Sequence, residues 1–203
     1  MRLFRYDKSV VVEKILTGSN TRVMLKIKVD FKLIQPDNFP DFAKKFKEFE
    51  IDAEKLLQSG DMCIIAEANG RIISCVWVAL NENYVMEMEK YIRMPDSNSA
   101  YLYAVYTVPE YRGFGVAAKA IEKLLVHLKK KGVRKVYALI HPNNFSSLRC
   151  FQKVGFKRIG MVHFVRILKL KIYVCKGLTR RDHKIITEML SNERDKSIFL
   201  LIF

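Results

Sequence analysis

Between Val108 and Ala120 the chain reads VPEYRGFGVAAKA, and no other stretch has residue types and spacing better suited to chemistry. Arg112, Gly113 and Gly115 sit between a strand-like run, AYLYAVYTV, and a helix-like run that ends in KKKG. A helix N-terminus carries unsatisfied N–H groups and the positive end of a dipole, so it attracts phosphate. Glycines remove the Cβ that would hold phosphate oxygens off the backbone. The spacing Arg112-x-x-Gly115-x-Ala117 therefore suits a cradle for phosphates, although a plain tight turn has the same composition. The dinucleotide fingerprint G-x-G-x-x-G is incomplete, because Ala118 holds the third glycine position and the turn follows several strands. The Walker pattern of nucleoside triphosphate sites is absent.

The elements that must position this turn follow from periodicity. Val23, Leu25, Ile27, Val29, Phe31 and Leu33 alternate with polar residues and predict a strand over 23–33. Phe42, Phe46 and Phe49 mark a helix from about Pro40 to Leu57, ended by QSGD. Asn69-Gly70, between two β-branched runs, predicts a hairpin with a type I′ turn. Residues 81–99 read as a polar loop with room for a short helix or strand. Val116, Ala117, Ala120, Ile121, Leu124, Leu125 and Leu128 form one stripe of a helix over 115–131, with Gly132 as its stop. RKVYALI is a further strand, FSSLRCFQKVG a short helix, and MVHFVRILKLKIYV one or two final strands. Strand–helix–strand over 100–140 requires a right-handed parallel crossover, while the early hairpin is antiparallel. The fold class is α/β (α+β): a mixed sheet flanked by helices. Residues 1–21 and 177–203 read as extensions of a domain over 22–176. The apolar run at the end, SIFLLIF, is too β-prone to stay in water and is expected to pack, on its own domain or across a symmetric dimer.

Composition narrows the function classes. The 203 residues suit one domain with modest additions. No apolar run approaches the roughly 20 residues of a membrane span, and MRLFRYDKSVVVEKIL lacks the apolar centre of a signal peptide, so a cytoplasmic protein without membrane attachment is expected. The four cysteines are scattered and no C-x-x-C pair occurs, which indicates neither a metal site nor a disulfide framework. The formal net charge of +15 attracts anions of any kind, including nucleic acid, anionic lipid or a phosphorylated co-substrate.

Downstream of the glycine turn stands NFSSLRCFQKVGF, with Asn144, Ser147, Phe151, Gly155 and Phe156. Together with VPEYRGFG this resembles the GNAT superfamily of N-acetyltransferases, which pairs R/Q-x-x-G-x-G/A at a strand-to-helix turn with N-x-x-[A/S]-x-x-x-Y-x-x-x-G-F some 30 residues later. The resemblance covers about residues 24–175. It implies a sheet whose parallel strands AYLYAVYTV and RKVYALI splay apart around acetyl-CoA. It implies that amides from Arg112 through Gly113, Phe114, Gly115, Val116 and Ala117 hold the pyrophosphate. Tyr106, Thr107 and Val108 would hydrogen-bond the pantetheine arm, Asn144 would contact it, and Ser147 and Phe151 would line its thiol end.

The implied reaction is direct attack of a primary amine on the thioester, with a base taking the amine's proton. Here the chain departs from the family. Phe151 stands where the family's acidic Tyr is usual, and Tyr101 and Leu139 stand where a basic Glu is usual. Tyr101 and Tyr103 share a strand face, but an ordinary Tyr has a pKa near 10. Histidine is the side-chain type whose ordinary pKa lies nearest neutrality, which makes His141 a further candidate. Glu82, Glu87 and Glu89, or a more distant carboxylate reached through water, are further candidates for the base. Three readings are open: an acetyl-CoA-dependent N-acetyltransferase, a module that holds a CoA ester without efficient transfer, and a basic nucleic-acid-binding protein. No aromatic RNA-binding signature supports the last.

Overall fold

The computed structural model describes residues 4–17, 22–34, 52–80, 85–87, 90–92, 94, 96–168, 170–191 and 197–202. Its main sheet is built from β1 (Phe4–Ile15), β2 (Asp30–Ile34), β3 (Met62–Ala68), β4 (Arg71–Leu80), β7 (Ser99–Thr107), β8 (Lys135–Ile140), β9 (Lys157–Ile167), β10 (Leu170–Lys176) and β11 (Ser197–Ile202). The short strands β5 (Val85–Glu87) and β6 (Lys90–Ile92) pair only with each other. The described helices are α1 (Ala53–Gln58), α2 (Val116–Lys130), α3 (Phe145–Lys153) and α4 (Arg180–Leu190). Strand order in the nine-stranded sheet is β11-β10-β9-β1-β8-β7-β4-β3-β2.

Each face of the sheet carries its own core. Val10, Val12, Val76, Leu102, Val136 and Ile140 pack against the buried stripe of α2, from Ala118 to Leu128, and against Phe151 of α3. Val11, Trp77, Tyr101, Tyr103, Tyr137, Phe164 and Tyr173 pack on the other face with Leu57 of α1 and with Ile186, Met189 and Leu190 of α4. The expected hairpin forms, with Asn69 and Gly70 at φ of 52° and 73° as a type I′ turn needs. Helix α2 ends as expected at Gly132, whose φ is 87°; Val133 N donates back to Leu128 O at 3.1 Å, a Schellman closure.

Three expectations are corrected. The described part of 1–21 is not an addition outside the core. Strand β1 lies within the sheet, antiparallel to both β8 and β9, and Val10, Val11 and Val12 are buried. The strand expected over 23–33 joins the sheet only at Asp30–Ile34. The residues before it still alternate between half-buried and exposed, but Leu25, Ile27 and Val29 pack beside Val116 at the start of α2. The described part of 177–203 likewise belongs to the packed body: α4 covers one face, and β11 pairs in parallel with β10 at the sheet edge. Most of the helix expected over 40–57 lies outside the described residues; α1 is its described part.

The apolar tail thus packs on its own domain. Phe199 stacks on Tyr173 with centroids 4.8 Å apart and planes 8° from parallel, while Ile198, its neighbour on the opposite face, is 45% exposed. Phe199→Ala is expected to cost about 2 kcal/mol, below the ~3–5 of a fully buried Phe, which is roughly 4–8 °C in a domain of this size. Ile198→Ala should leave the melting temperature within about 1 °C, and deleting residues 196–203 should lower it further than Phe199→Ala does. Equal melting temperatures for all four proteins in calorimetry would show that β11 contributes no packing.

Candidate active site

The parallel strands β7 and β8 are paired only over Ser99–Tyr101 and Lys135–Tyr137. Beyond Tyr101 and Tyr137 they part. The parting coincides with an irregularity in β7: its register against β4 slips between Cys75 and Trp77, and Ala104 takes a φ of 44°. Ala104 is the extra residue of a bulge, which bends its strand and re-aims the residues beyond it.

The bend carries β7 into a 3-10 turn, Pro109–Tyr111, and then into the glycine turn. Gly115 is the N-cap of α2 with φ 87° and contributes no side-chain cap, so the first amides of the helix keep their donor capacity toward the cleft. An added Cβ at Gly115 would stand 2.8 Å from the carbonyl oxygen of Met24. Lys26 N donates to Phe114 O at 3.2 Å and Val23 N to Glu122 Oε2 of α2 at 3.0 Å. Residues 22–29 therefore brace the glycine turn from behind.

A cleft of about 560 Å³ opens between β7, the glycine turn, the start of α2 and the outer side of α3. That volume lies in the range of small-molecule sites. Tyr106, Thr107, Arg112, Gly113, Gly115, Val116, Ala117, Asn144 and Ser147 all line it, so most of the residues expected to hold the co-substrate meet in one place. Asn144 is the N-cap of α3 and accepts from Ser147 N at 3.1 Å and from Ser146 Oγ at 2.9 Å. Its side-chain NH₂ remains the donor it can present to a ligand.

Several expected contacts are rearranged. The Val108 amide donates to Ile73 O at 2.9 Å, and Val108 does not line the cleft. Thr107 pairs with Ser74 one step back along the ladder, so the alternation of an antiparallel pair turns the Thr107 amide away from β4 and toward the slot. The Tyr106 carbonyl accepts from Ser74 Oγ at 2.6 Å. The Arg112 amide donates to Pro109 O at 3.1 Å, which leaves the cradle to the amides after it. The Arg112 side chain ties the turn to its strand through Nε donating to Thr107 O at 3.0 Å, with its guanidinium 5.9 Å from the Tyr106 ring centroid. Phe114 is absent from the cleft wall. Phe151 is 3% exposed, meets Phe156 edge-on at 4.9 Å between centroids, and does not line the cleft either.

Motif matching passed over Ser146, Arg149, Cys150 and Lys153, which also line the cleft. Their spacing of i, i+3, i+4 and i+7 puts them on one stripe of α3, a signal present in the sequence. Arg149 and Lys153 add positive charge beside Arg112, as a polyphosphate requires. Cys150 brings a thiol into the cleft wall, but burial pushes its pKa up to about 11. Burial also raises Cys75 to about 12, Cys175 to about 11, and Cys63 well above the usual value. A protonated thiol is a weak nucleophile, so no cysteine here is activated to carry an acyl group.

The candidates for proton transfer lie elsewhere. Tyr101 and Tyr103 project to the face opposite α2 and α3 and stack with centroids 6.3 Å apart. Tyr101 is fully buried, while Tyr103 is 8% exposed. Tyr103 Oη donates to Asp61 Oδ2 at 2.5 Å. Across the opening, Tyr137 is buried and its phenol is pushed upward by that burial and by Glu13. His141 does not line the cleft; its Nδ1 accepts from Asn143 N at 3.2 Å. A neutral imidazole that accepts at Nδ1 carries its proton on Nε2 and has no lone pair left for an amine. Glu82 and Glu89 lie outside the described residues, and Glu87 closes β5.

With this geometry in place, the comparisons with known proteins converge. Residues 30–156, more than half of the 203, match the profile of the acetyltransferase (GNAT) family, and the chain belongs to that family. An acetyltransferase of Pectobacterium atrosepticum is 24% identical over 123 residues, 60% of this chain and 77% of its own length. An uncharacterized N-acetyltransferase of Methanocaldococcus jannaschii is 24% identical over 110 residues, 54% of this chain but only 45% of its own length. The crystal structure of a GNAT-family protein from Novosphingobium aromaticivorans superposes with a TM-score of 0.54 at 18% identity, covering 80% of this chain and 66% of that one; at that identity the likeness is one of fold. No described helix is long and apolar enough to cross a membrane.

Gly115→Glu would test the cradle poorly, because it would also collide with Met24. Ala117 lines the same wall from the first turn of α2, where a carboxylate is compatible with the helix dipole. Ala117→Glu is expected to weaken acetyl-CoA binding at least ~30-fold, or about 2 kcal/mol, with little change in melting temperature. Unchanged affinity by titration calorimetry would place the phosphates elsewhere.

Proposed function

We propose that the protein is an N-acetyltransferase that moves an acetyl group from acetyl-CoA to a primary amine by direct attack within a ternary complex. The observation that carries this reading is the cleft itself: a side-chain-free helix N-terminus, Arg112, Arg149 and Lys153 for phosphates, and the splayed edge of β7 for an extended amide-bearing arm. The amine nitrogen forms a bond to the thioester carbonyl carbon, the C–S bond breaks, and the thiolate leaves. Four protonated cysteines support direct transfer over an acyl-cysteine intermediate. The open edge at β11, where Ile198, Leu200 and Ile202 are 45–50% exposed, supports a homodimer, which a doubled mass in light scattering would reveal.

Phe151 favours one alternative, a module that binds a CoA ester without efficient turnover. At the position of the family's usual acid it has no proton to give. A thiolate is nonetheless a fair leaving group, and solvent can protonate it.

The test is thiol release from acetyl-CoA with spermidine, neamine, glucosamine and a peptide with a free N-terminus as acceptors. Amine-dependent release with at least one of them, accompanied by the mass of the acetylated product, is expected. Acetyl-CoA binding without amine-dependent release would support the binding module. Because Phe151 is packed into the core, Phe151→Tyr is expected to lower the melting temperature and leave thiol release within about threefold; a rise of tenfold or more (~1.4 kcal/mol) would show that the added hydroxyl reaches the sulfur.

A further inference from the structure

The acetyl transfer proposed above needs a proton acceptor, and no carboxylate occupies either position where the family usually has one. We propose that Asp61, acting through Tyr103, receives the proton that the attacking amine loses. This rests on the acetyltransferase reading and adds a residue to it.

Tyr103 is the last residue of β7 before the bulge at Ala104. It lies just past the point where β7 leaves β8. Its ring faces away from the helices that frame the phosphate cleft, onto the opposite face of the sheet. Tyr101, stacked almost parallel at 11°, fixes the plane of that ring from below. Asp61 is positioned from a separate part of the chain. It follows Gly60, which turns the chain with a φ of 87°, and its amide donates to Leu56 O in α1 at 3.1 Å. Strand β3 begins at the next residue. Asp61 is 3% exposed.

Burying a carboxylate is costly unless it gains a strong hydrogen bond, and the 2.5 Å bond from Tyr103 supplies one. A structural tyrosine–carboxylate pair could sit anywhere in a core. This one sits where the sheet opens: Tyr103 is two residues past the last pairing of β7 with β8. Neither group suffices by itself: a lone phenol is too weakly basic near neutrality, and Asp61 lies a full side chain away from the opening. Together they form a two-step relay. The amine N–H bond breaks as a new O–H bond forms at Tyr103 Oη. The original Tyr103 O–H bond breaks as the proton passes to Asp61 Oδ2. The departing thiolate, or solvent, then takes one proton back along the same path, and the pair returns to its starting state. Tyr103 meets the amine; Asp61 is a positioning residue that acts through it. The other titratable side chains in the core cluster that holds Tyr103 are Tyr101 on the same strand, Cys75 on β4, Cys63 on β3, Tyr137 on β8, and Tyr173 and Cys175 on β10.

The experiment uses the full chain and the four amines named above as probes, with kcat and KM followed from pH 5 to 10. Asp61→Asn is expected to lower kcat by about 100-fold, the low end of general-base contributions, with KM for acetyl-CoA within about twofold. The low-pH limb of the wild-type kcat profile should flatten, and Asp61→Glu should recover part of the rate. Tyr103→Phe keeps the stacked ring and removes only the hydroxyl; it should match Asp61→Asn, and the double variant should be no slower than either single one. If Asp61→Asn fails to fold, Tyr103→Phe carries the test alone. Wild-type kcat and pH profile in either folded variant, or losses that multiply in the double variant, would overturn the relay while leaving the acetyltransferase reading intact. Acetyl-CoA binding by the wild-type chain with no turnover of any amine would overturn both.

Discussion

Beyond Tyr101 and Tyr137, two parallel strands that belong to one sheet stop sharing hydrogen bonds, and nearly everything else in the molecule answers that constraint. Backbone N–H and C=O groups that face an opened slot must be satisfied by water, side chains or a ligand. The bulge at Ala104 makes the departure possible on the β7 side. On the β8 side the strand would be a frayed edge if nothing else held it. Strand β1 prevents that: Val10–Ile15 pair with β8 along its entire length, Lys135–Ile140. The N-terminal strand is therefore a condition for the opening, since it keeps β8 in the sheet after β8 has left β7.

The two faces of the opened sheet divide the chemistry. On the side of α2 and α3, glycines, amides and cations gather in one cleft, an arrangement suited to holding negative charge, and the formal net charge of +15 adds a long-range attraction in the same direction. On the other side the polar groups include the phenols of Tyr101, Tyr103 and Tyr137 and the buried carboxylate of Asp61, set among apolar residues. A low-dielectric setting strengthens a satisfied hydrogen bond and penalises a lone charge. The pairing of Asp61 with Tyr103 is the form in which a carboxylate can persist there. The same burial keeps the cysteines protonated, so the face is polar without being nucleophilic.

What could be read from the sequence was what is local. The glycine turn, the stripe of α2, the Asn69-Gly70 hairpin and the crossover from β7 to β8 each depend on residues within a few positions of one another, and each forms as expected. The place of β1 could not be read, because its partners lie at least 120 residues away and its own pattern mixes exposed Phe4 and Tyr6 with buried Val10–Val12. Residues 23–29 illustrate a different limit. Alternation specifies which side chains turn inward but not what they turn toward, and Leu25, Ile27 and Val29 pack against a cluster of Val116 at the start of α2, Ala66 and Ile73 without pairing as a strand before Asp30. At the candidate site, motif spacing placed most of the cleft residues, but a motif position says where a Cα falls and not whether the ring is drawn into the core, as that of Phe151 is. Asp61 had no local signal at all: its partner is 42 positions away, and only the fold brings the two together.

Gly115 shows how one residue can answer to two demands that sequence alone does not separate. A phosphate cradle asks for glycine so that oxygens can approach the amides. The structure adds an independent reason: φ is 87°, and the space a Cβ would take is held by the carbonyl of Met24. The segment behind the turn is tied to it at Lys26 and Val23, so the cradle is pressed from the rear by a stretch that also anchors β2. Gly113 lacks this second constraint, since nothing lies within 4 Å of where its Cβ would be, although its φ of 81° still favours glycine. The two glycines of the motif thus do different work. Gly113 lets the chain turn, and Gly115 lets it turn against a neighbour, which fixes where the first amides of α2 point.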